Sequence, residues 1–262
     1  LKPSEKNPDL RIMNFDSIEV FSENTARGCL IVAVYSNSAI KVVYFDFEEK
    51  KFSTLIDDAY MQCCIFHVRF VCIGGKLHIM IGSTNGHLTI YDISETTDKY
   101  FVAEYEENSV KLRKKPVDVG MQIMKLGKLL INQQIHQSSI RALATTQTSQ
   151  NEVSIVTGGD DNAIALLRLY KCPGSQNKLD LKSFEASAAS STITTITHVN
   201  KNQVLIGAVD QSIKLWNINN GLKLVANKYS TVADIGCSEI THFANGKKYA
   251  LIGGAGLSIW NL

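Results

Sequence analysis

The sequence predicts an all-β protein made of repeated four-stranded units, and three observations lead to this prediction. Short apolar runs rich in Val, Ile, Leu and Tyr recur along the 262 residues, many with the alternation of a half-buried strand. Tight turns containing Asn, Asp or Gly join these runs in pairs, which is typical of β-hairpins. Hardly any stretch shows a sustained helical period. Four strands per unit, repeated radially, is the plan of a WD40-type β-propeller.

Five hairpins share this design and indicate about five blades. They are CLIVAVYSNSAIKVVYFD (29–46), KLHIMIGSTNGHLTIYDI (76–93), VSIVTGGDDNAIALLRL (153–169), QVLIGAVDQSIKLWNI (203–218) and KYALIGGAGLSIWNL (248–262). The turn residues Asn37, Asn85, Asp161 and Asp210 are separated by 85 − 37 = 48, 161 − 85 = 76 and 210 − 161 = 49 residues. Two of these spacings are close to one propeller blade of roughly 40–45 residues.

The long spacing predicts an insertion in the second unit. Residues 94–121 are polar, charged and weakly periodic, so we predict an inserted charged loop there. It contains the basic cluster KLRKK, with Lys111, Arg113, Lys114 and Lys115. These four cations are candidates for RNA or partner contact, because clustered basic groups bind phosphates. The alternative is a solvated loop that is partly balanced by Glu104, Glu106 and Glu107.

The order of strands predicts an incomplete ring. A further apolar strand precedes each hairpin and an outer strand follows most of them, but the fifth unit ends three strands in, at Leu262. Residues 1–9 make a poor strand. We therefore expect 1–262 to be part of a seven-bladed ring completed by upstream sequence. A closed five-bladed ring is the alternative.

Parts of a buried polar network characteristic of WD blades recur in the third and fourth units. His136 and Asp161 have network spacing in the third unit, but Leu167 stands where Trp is expected. The fourth unit has Asp210 and Trp216, but Ala189 stands where His is expected. A catalytic His136–Asp161 dyad is the alternative to a hydrogen bond that braces the blade. We favour the structural role, because the spacing follows the repeat and buried polar groups require partners.

Motifs of chemistry are missing from the sequence. It contains no HExxH, P-loop, GxGxxG or GxSxG pattern, and the glycines of Gly253–Gly256 fit a hairpin turn rather than a phosphate loop. His78 and His87 are predicted to face each other across one hairpin, where a plain cross-strand pair is favoured over a metal site. The six cysteines show no zinc spacing, and no apolar run reaches membrane-spanning length. We expect a cytoplasmic, non-enzymatic protein without cofactor, metal or membrane span.

Several segments resemble one known family. They are DLRIMNF (9–15), IDDAYMQCCIFHVRF (56–70), IHQSSIRAL (135–143), TGGDDNAI (157–164), AVDQSIKLW (208–216), STVADIGC (230–237) and LIGGAGLSIWN (251–261). Together they resemble the C-terminal propeller of the WD-repeat subunit that partners the tRNA anticodon-loop ribose 2′-O-methyltransferase. The resemblance implies that 1–262 is the C-terminal propeller of a large cytoplasmic protein of several propellers. That protein would bind the catalytic subunit and help to place tRNA for methylation of the wobble ribose. S-adenosylmethionine would bind the partner.

Three classes of function follow from these observations. The first is a non-catalytic scaffold in tRNA wobble-ribose methylation. The second is a general WD40 adaptor, such as a peptide or substrate receptor in another complex. The third, an enzyme on a propeller, requires convergent acid–base residues at the central channel, and the sequence shows no such set. The net charge of +2 does not by itself favour nucleic acid.

Overall fold

The protein is a β-propeller of five blades in the computed structural model, which confirms the predicted fold class. The structure describes residues 10–106, 109–116, 120–172, 174, 177–242 and 246–262. The predicted poor strand at 1–9 lies outside them. No helix within these ranges is long and apolar enough to cross a membrane.

The first blade is an antiparallel meander of four strands. Its members are β1 (Ile12–Ser22), β2 (Thr25–Tyr35), β3 (Ala39–Asp46) and β4 (Lys51–Ala59). The turn between β2 and β3 contains Ser38 at φ 64°, and the Asn37 side chain accepts a hydrogen bond from the Ala39 N–H at 3.1 Å. An Asn side chain supports such a turn by bonding to backbone two residues ahead.

The second blade is interrupted after its third strand. Strands β5 (Ile65–Ile73), β6 (Lys76–Ser83) and β7 (His87–Asp92) pair in order. The chain then forms the short helix α1 (Ser94–Thr97) and the hairpin of β8 (Phe101–Glu106) and β9 (Ser109–Lys114). Strand β10 (Lys128–Gln134) finally pairs with β7 as the outer strand.

The inserted segment therefore has regular structure where the sequence suggested a loop. Strand β9 runs parallel to the end of β1, with Val20 opposite Leu112, so the hairpin extends the first sheet to six strands. Phe101 and Leu112 are buried in the core between the first and second blades. Burial of these isolated apolar residues orders a segment whose own periodicity is weak, because apolar area removed from water stabilises the fold.

The third and fourth blades each have four strands, and the fifth has three. The third comprises β11 (Ile140–Ser149), β12 (Glu152–Gly159), β13 (Ile164–Lys171) and β14 (Asn177–Glu185). The fourth comprises β15 (Ile193–Asn200), β16 (Gln203–Ala208), β17 (Ser212–Asn217) and β18 (Lys223–Tyr229). The fifth comprises β19 (Cys237–His242), β20 (Lys248–Gly254) and β21 (Gly256–Asn261).

Four apolar cores fill the spaces between successive blades. Neighbouring residues on β13 show how one strand serves two of them. Leu166 packs toward the fourth blade, whereas Leu167 packs toward the second. Successive strand side chains point to opposite sheet faces, so an apolar run is required wherever both faces are covered.

Antiparallel strand order creates two distinct faces of the propeller. One face contains the connections from the first to the second strand and from the third to the fourth strand of each blade. We call it the first-turn face. The opposite face, called the second-turn face, has the second-to-third turns and the connections between blades. The insertion 94–121 leaves from the first-turn face, because it follows β7.

Within the described residues, the first and fifth blades each have one sheet face that no neighbouring blade covers, and these two faces are exposed to solvent. Phe15 on β1 is 61% exposed, and Leu257 and Ile259 on β21 are 68% and 59% exposed. These apolar side chains do not cover one another. The number of blades in a complete ring stays a prediction.

Candidate functional site

A buried polar network lies on the second-turn face of the third blade. His136 Nδ1 is 2.9 Å from Asp161 Oδ1, and its Nε2 is 2.8 Å from Thr157 Oγ1. The connection before β11 positions His136, the end of β12 positions Thr157, and the turn before β13 positions Asp161. The structure thus brings the two predicted residues together and adds Thr157.

The backbone around Asp161 holds its carboxylate in place. The N–H groups of Gln137 and Ala163 donate to Asp161 at 3.0 and 3.2 Å. A Cβ at Gly159 would lie 2.6 Å from Asp161 Oδ1, so the turn needs glycine at this position. Each carboxylate oxygen therefore has backbone and imidazole partners.

This geometry favours a structural role for His136 over a catalytic one. Its side chain is completely buried, and both ring nitrogens already have hydrogen-bond partners. A general base needs hydrogen-bond access to a substrate proton. His136 offers no free nitrogen for that purpose and instead joins the second-blade connection to the third-blade turn.

The fourth blade contains the corresponding residues without the network. The N–H groups of Ser212 and Ser190 donate to Asp210 at 2.9 and 3.0 Å. Burial raises the pKa of Asp210, but hydrogen bonds from these two residues outweigh it and hold the pKa below its ordinary value. Trp216 is 5% exposed, and its Nε1 has no hydrogen-bond partner in the described part of the chain. Ala189 supplies no acceptor and packs in the same core.

The basic cluster lies on β9, and its cations have partners within the chain. Arg113 donates two hydrogen bonds to Glu104, at 2.8 and 2.9 Å. Lys114 Nζ is 3.2 Å from an Asp46 carboxylate oxygen and 4.9 Å from the centre of the Tyr44 ring. The surrounding hydrogen bonds, including that from Lys114, outweigh burial and lower the pKa of Asp46.

The other two cations are also engaged. Lys115 Nζ donates to the Asp98 carbonyl at 2.5 Å, and Lys111 Nζ lies 5.0 Å from the centre of the Phe21 ring. Glu107, one of the predicted balancing acids, lies outside the described residues. These contacts reduce the charge that Lys111, Arg113, Lys114 and Lys115 can offer to an external phosphate.

The central channel contains titratable groups that the sequence analysis did not single out. A cavity of about 570 Å³ is lined by inner-strand residues of all five blades, including Asp16, His67, Arg69 and His198. Burial raises the pKa of Asp16, against the lowering effect of Arg69, whose Nη1 lies 3.6 Å away. Burial lowers the pKa of both His67 and His198 to about 4, so both rings are neutral. Their places in predicted inner strands were the available signal.

The interpretation that His78 and His87 face each other is wrong. His78 pairs across the hairpin with Asp92, because the tight turn places His87 at the opposite end of β7. Within the described ranges, no group of three or more His, Cys, Asp or Glu side chains could hold a metal ion.

Comparisons with known proteins add no family to this geometry. No protein-family model matches the chain, and no curated protein matches it. The propeller fold is consistent with a non-catalytic WD40-like scaffold or adaptor.

Proposed function

We propose that this chain is a non-catalytic WD-repeat scaffold that binds a tRNA 2′-O-methyltransferase subunit and helps to position tRNA for wobble-ribose methylation. The mechanism is positioning. A rigid set of blades holds two partners together, and holding reactants in the right geometry can strongly accelerate a bimolecular step.

One observation carries this proposal. All seven segments that resemble the methyltransferase partner subunit include or adjoin a second-turn-face element: the start of β1, a connection between blades, or a turn between second and third strands. Segments scattered along the chain therefore meet on one surface. A binding function explains such clustering, because loops on a rigid scaffold commonly carry recognition.

The segments STVADIGC (230–237) and LIGGAGLSIWN (251–261) form one structural unit in the fifth blade. The Ala255 N–H donates to the Ala233 carbonyl at 2.7 Å, and the Gly236 N–H donates to the Gly253 carbonyl at 2.9 Å. A Cβ at Gly254 would lie 2.4 Å from the Ala233 carbonyl oxygen. The glycine turn thus replaces the usual turn Asp, because the preceding connection packs directly against its backbone. Both segments therefore belong to one surface of the fifth blade.

Co-purification of the chain with the catalytic subunit tests the proposal. We expect the variant Ser187→Arg/Thr231→Arg to lose the partner, because both positions are exposed on second-turn-face connections. Gln150→Arg/Asn151→Arg adds the same two charges to an exposed turn of the opposite face and is the control for charge. Recovery of other proteins without any methyltransferase would favour the general adaptor.

Methylation in cells gives the decisive measurement. We expect mapping of tRNA ribose methylation in a deletion strain to show loss at the wobble nucleotide. Normal wobble methylation in that strain contradicts the proposed function.

A further inference from the structure

The charges of the last three blades are divided between the two faces. Residues 135–262 contain 11 Lys and Arg residues and 8 Asp and Glu residues. Eight of the cations lie in or near the first-turn face or around the cavity described below: Arg168, Lys171, Lys178, Lys182, Lys201, Lys223, Lys247 and Lys248. We call these eight residues the basic surface. Only Glu152 and Asp180 accompany them.

The opposite face of the same blades is acidic. Five carboxylates lie in or next to its connections: Asp160, Asp161, Glu185, Asp210 and Asp234. Three cations accompany them, namely Arg141, Lys214 and Lys228. Strands of six to ten residues separate the faces by roughly 20–30 Å. This exceeds the Debye length of about 8 Å at physiological ionic strength, so each face presents its own field to a ligand.

A cavity opens within the basic surface between the third and fourth blades. It measures about 440 Å³, and its lining includes the cations Arg168, Lys182 and Lys201, the amide residues Asn202 and Asn219, and one carboxylate, Glu152. This volume is in the range of pockets that hold small molecules. Three cations against one carboxylate leave the lining net positive, which suits an anion.

The two lysines of this cavity can still bind an external anion. No carboxylate lies within ion-pair distance of Lys201 among the described residues, and Lys182 has a long contact of 3.7 Å to Asp180. Arg168 donates through Nη2 to Glu152 and is therefore more fully partnered than the two lysines. The KLRKK cluster, by contrast, already has internal partners.

An aromatic ring accompanies these charges. The Arg168 guanidinium carbon lies 4.8 Å from the centre of the Tyr170 ring. Proteins that bind single-stranded nucleic acid combine basic grooves with aromatic side chains on which bases stack. A flat membrane surface would not enter a cleft between blades, whereas a phosphate on an RNA loop can.

We propose that the basic surface of blades three to five binds RNA phosphates, with one phosphate group in the cavity of Arg168, Lys182 and Lys201. The inference rests on the proposed function and specifies its RNA-binding face. The RNA then lies opposite the protein partner, and the KLRKK cluster is secondary.

Binding of an unmodified tRNA transcript to the full 262-residue chain tests this surface, measured by fluorescence anisotropy over a salt titration. The variant Lys182→Glu/Lys201→Glu/Lys223→Glu should bind at least tenfold more weakly. Its slope of log affinity against log salt should fall by about 0.7–0.9 for each lost phosphate contact. The control Lys50→Glu/Lys51→Glu/Lys228→Glu makes the same change in net charge at exposed positions elsewhere and should stay within threefold of wild type.

Each other outcome contradicts the inference. Equal losses in the two variants would mean that net charge alone matters, and unchanged binding in both would exclude this surface. Vesicles containing phosphatidylserine that bind the chain while tRNA does not would indicate a membrane instead. Urea unfolding midpoints check that the variants are folded. If the methyltransferase still co-purifies while tRNA binding is insensitive to the triple variant, this inference fails and the proposed function stands.

Discussion

The third and fourth blades have the same strand order and similar turns, but they differ in how their buried polar atoms are satisfied. In the third, His136, Thr157 and Asp161 form a connected set. In the fourth, buried atoms of three side chains lack partners within the described residues: both ring nitrogens of His198, Ser212 Oγ and Trp216 Nε1. Unsatisfied buried polar groups cost free energy, so the third blade should gain stability from polar groups and the fourth mainly from apolar packing.

Removal of the turn carboxylate should destabilise the third blade more strongly than the fourth. Asp161→Ala should reduce the free energy of unfolding by about 3 kcal/mol, because it leaves a buried imidazole and two backbone N–H groups without an acceptor. Asp210→Ala removes backbone partners only and should cost about 1.5 kcal/mol. Urea denaturation of the two variants measures this. Equal losses would mean that the third-blade network adds nothing to its turn.

The pH dependence of stability examines the unpartnered histidine of the fourth blade. Burial lowers the pKa of His198 to about 4 from 6.5, so the unfolded chain binds the proton more readily. Stability from this group is therefore complete above about pH 6.5 and is lost as the pH falls toward 4. The loss between pH 7 and pH 5 should be about 2 kcal/mol.

His198→Leu should abolish that part of the pH dependence. His67 has the same pKa direction from burial, so wild type should show the effect of both groups and the variant that of one. Unfolding curves at pH 7, 6 and 5 provide the comparison. A variant with the full wild-type slope would show that His198 is not desolvated.

The variants Trp216→Phe and His136→Phe compare the loss of packing in the fourth blade with the loss of hydrogen bonds in the third. The indole N–H has no acceptor, so its removal loses no hydrogen bond, and the smaller ring should cost only about 1 kcal/mol. His136→Phe should cost about 3 kcal/mol, because it leaves Asp161 and Thr157 unpaired. Thermal unfolding of both proteins is the measurement, and a Trp216 variant as unstable as the His136 variant would reveal a hidden indole partner.

The smallest expected effect is at Ser212. Its buried hydroxyl makes no hydrogen bond of good geometry among the described residues, so Ser212→Ala should change the unfolding free energy by less than about 0.5 kcal/mol. Thr157→Ala removes a hydroxyl bonded to His136 and should cost about 1 kcal/mol. A clear loss in the Ser212 variant, measured in urea, would show that the fourth blade has a polar network after all.

Much of the candidate site could be predicted from the sequence where the blade repeat sets the positions of hydrogen-bonding residues. His136 and Asp161 were found from blade spacing alone, because each blade places its connection and its turn at fixed positions. Thr157 was not named, although it ends the strand before the same turn. The missing network of the fourth blade was visible in Ala189, which has no polar atom to contribute.

The insertion shows where sequence patterns were insufficient. Its strands have weak periodicity of their own, and Leu112 pairs with Ala103 in its hairpin and with Val20 of the first blade. The contact between Lys114 and Asp46 joins residues 68 positions apart. Such partners come from distant segments of the chain, and no local pattern specifies them.

The sequence by itself determined the blades, because strand alternation and turn residues are local properties with a fixed geometric consequence. It also determined which blades could contain a polar network, since the required side chains are either present or absent. Only the tertiary structure decided which cations have partners and which remain available. Charges that alternate along the chain were sorted onto two faces by the antiparallel order of the strands, because each turn reverses the direction of the backbone.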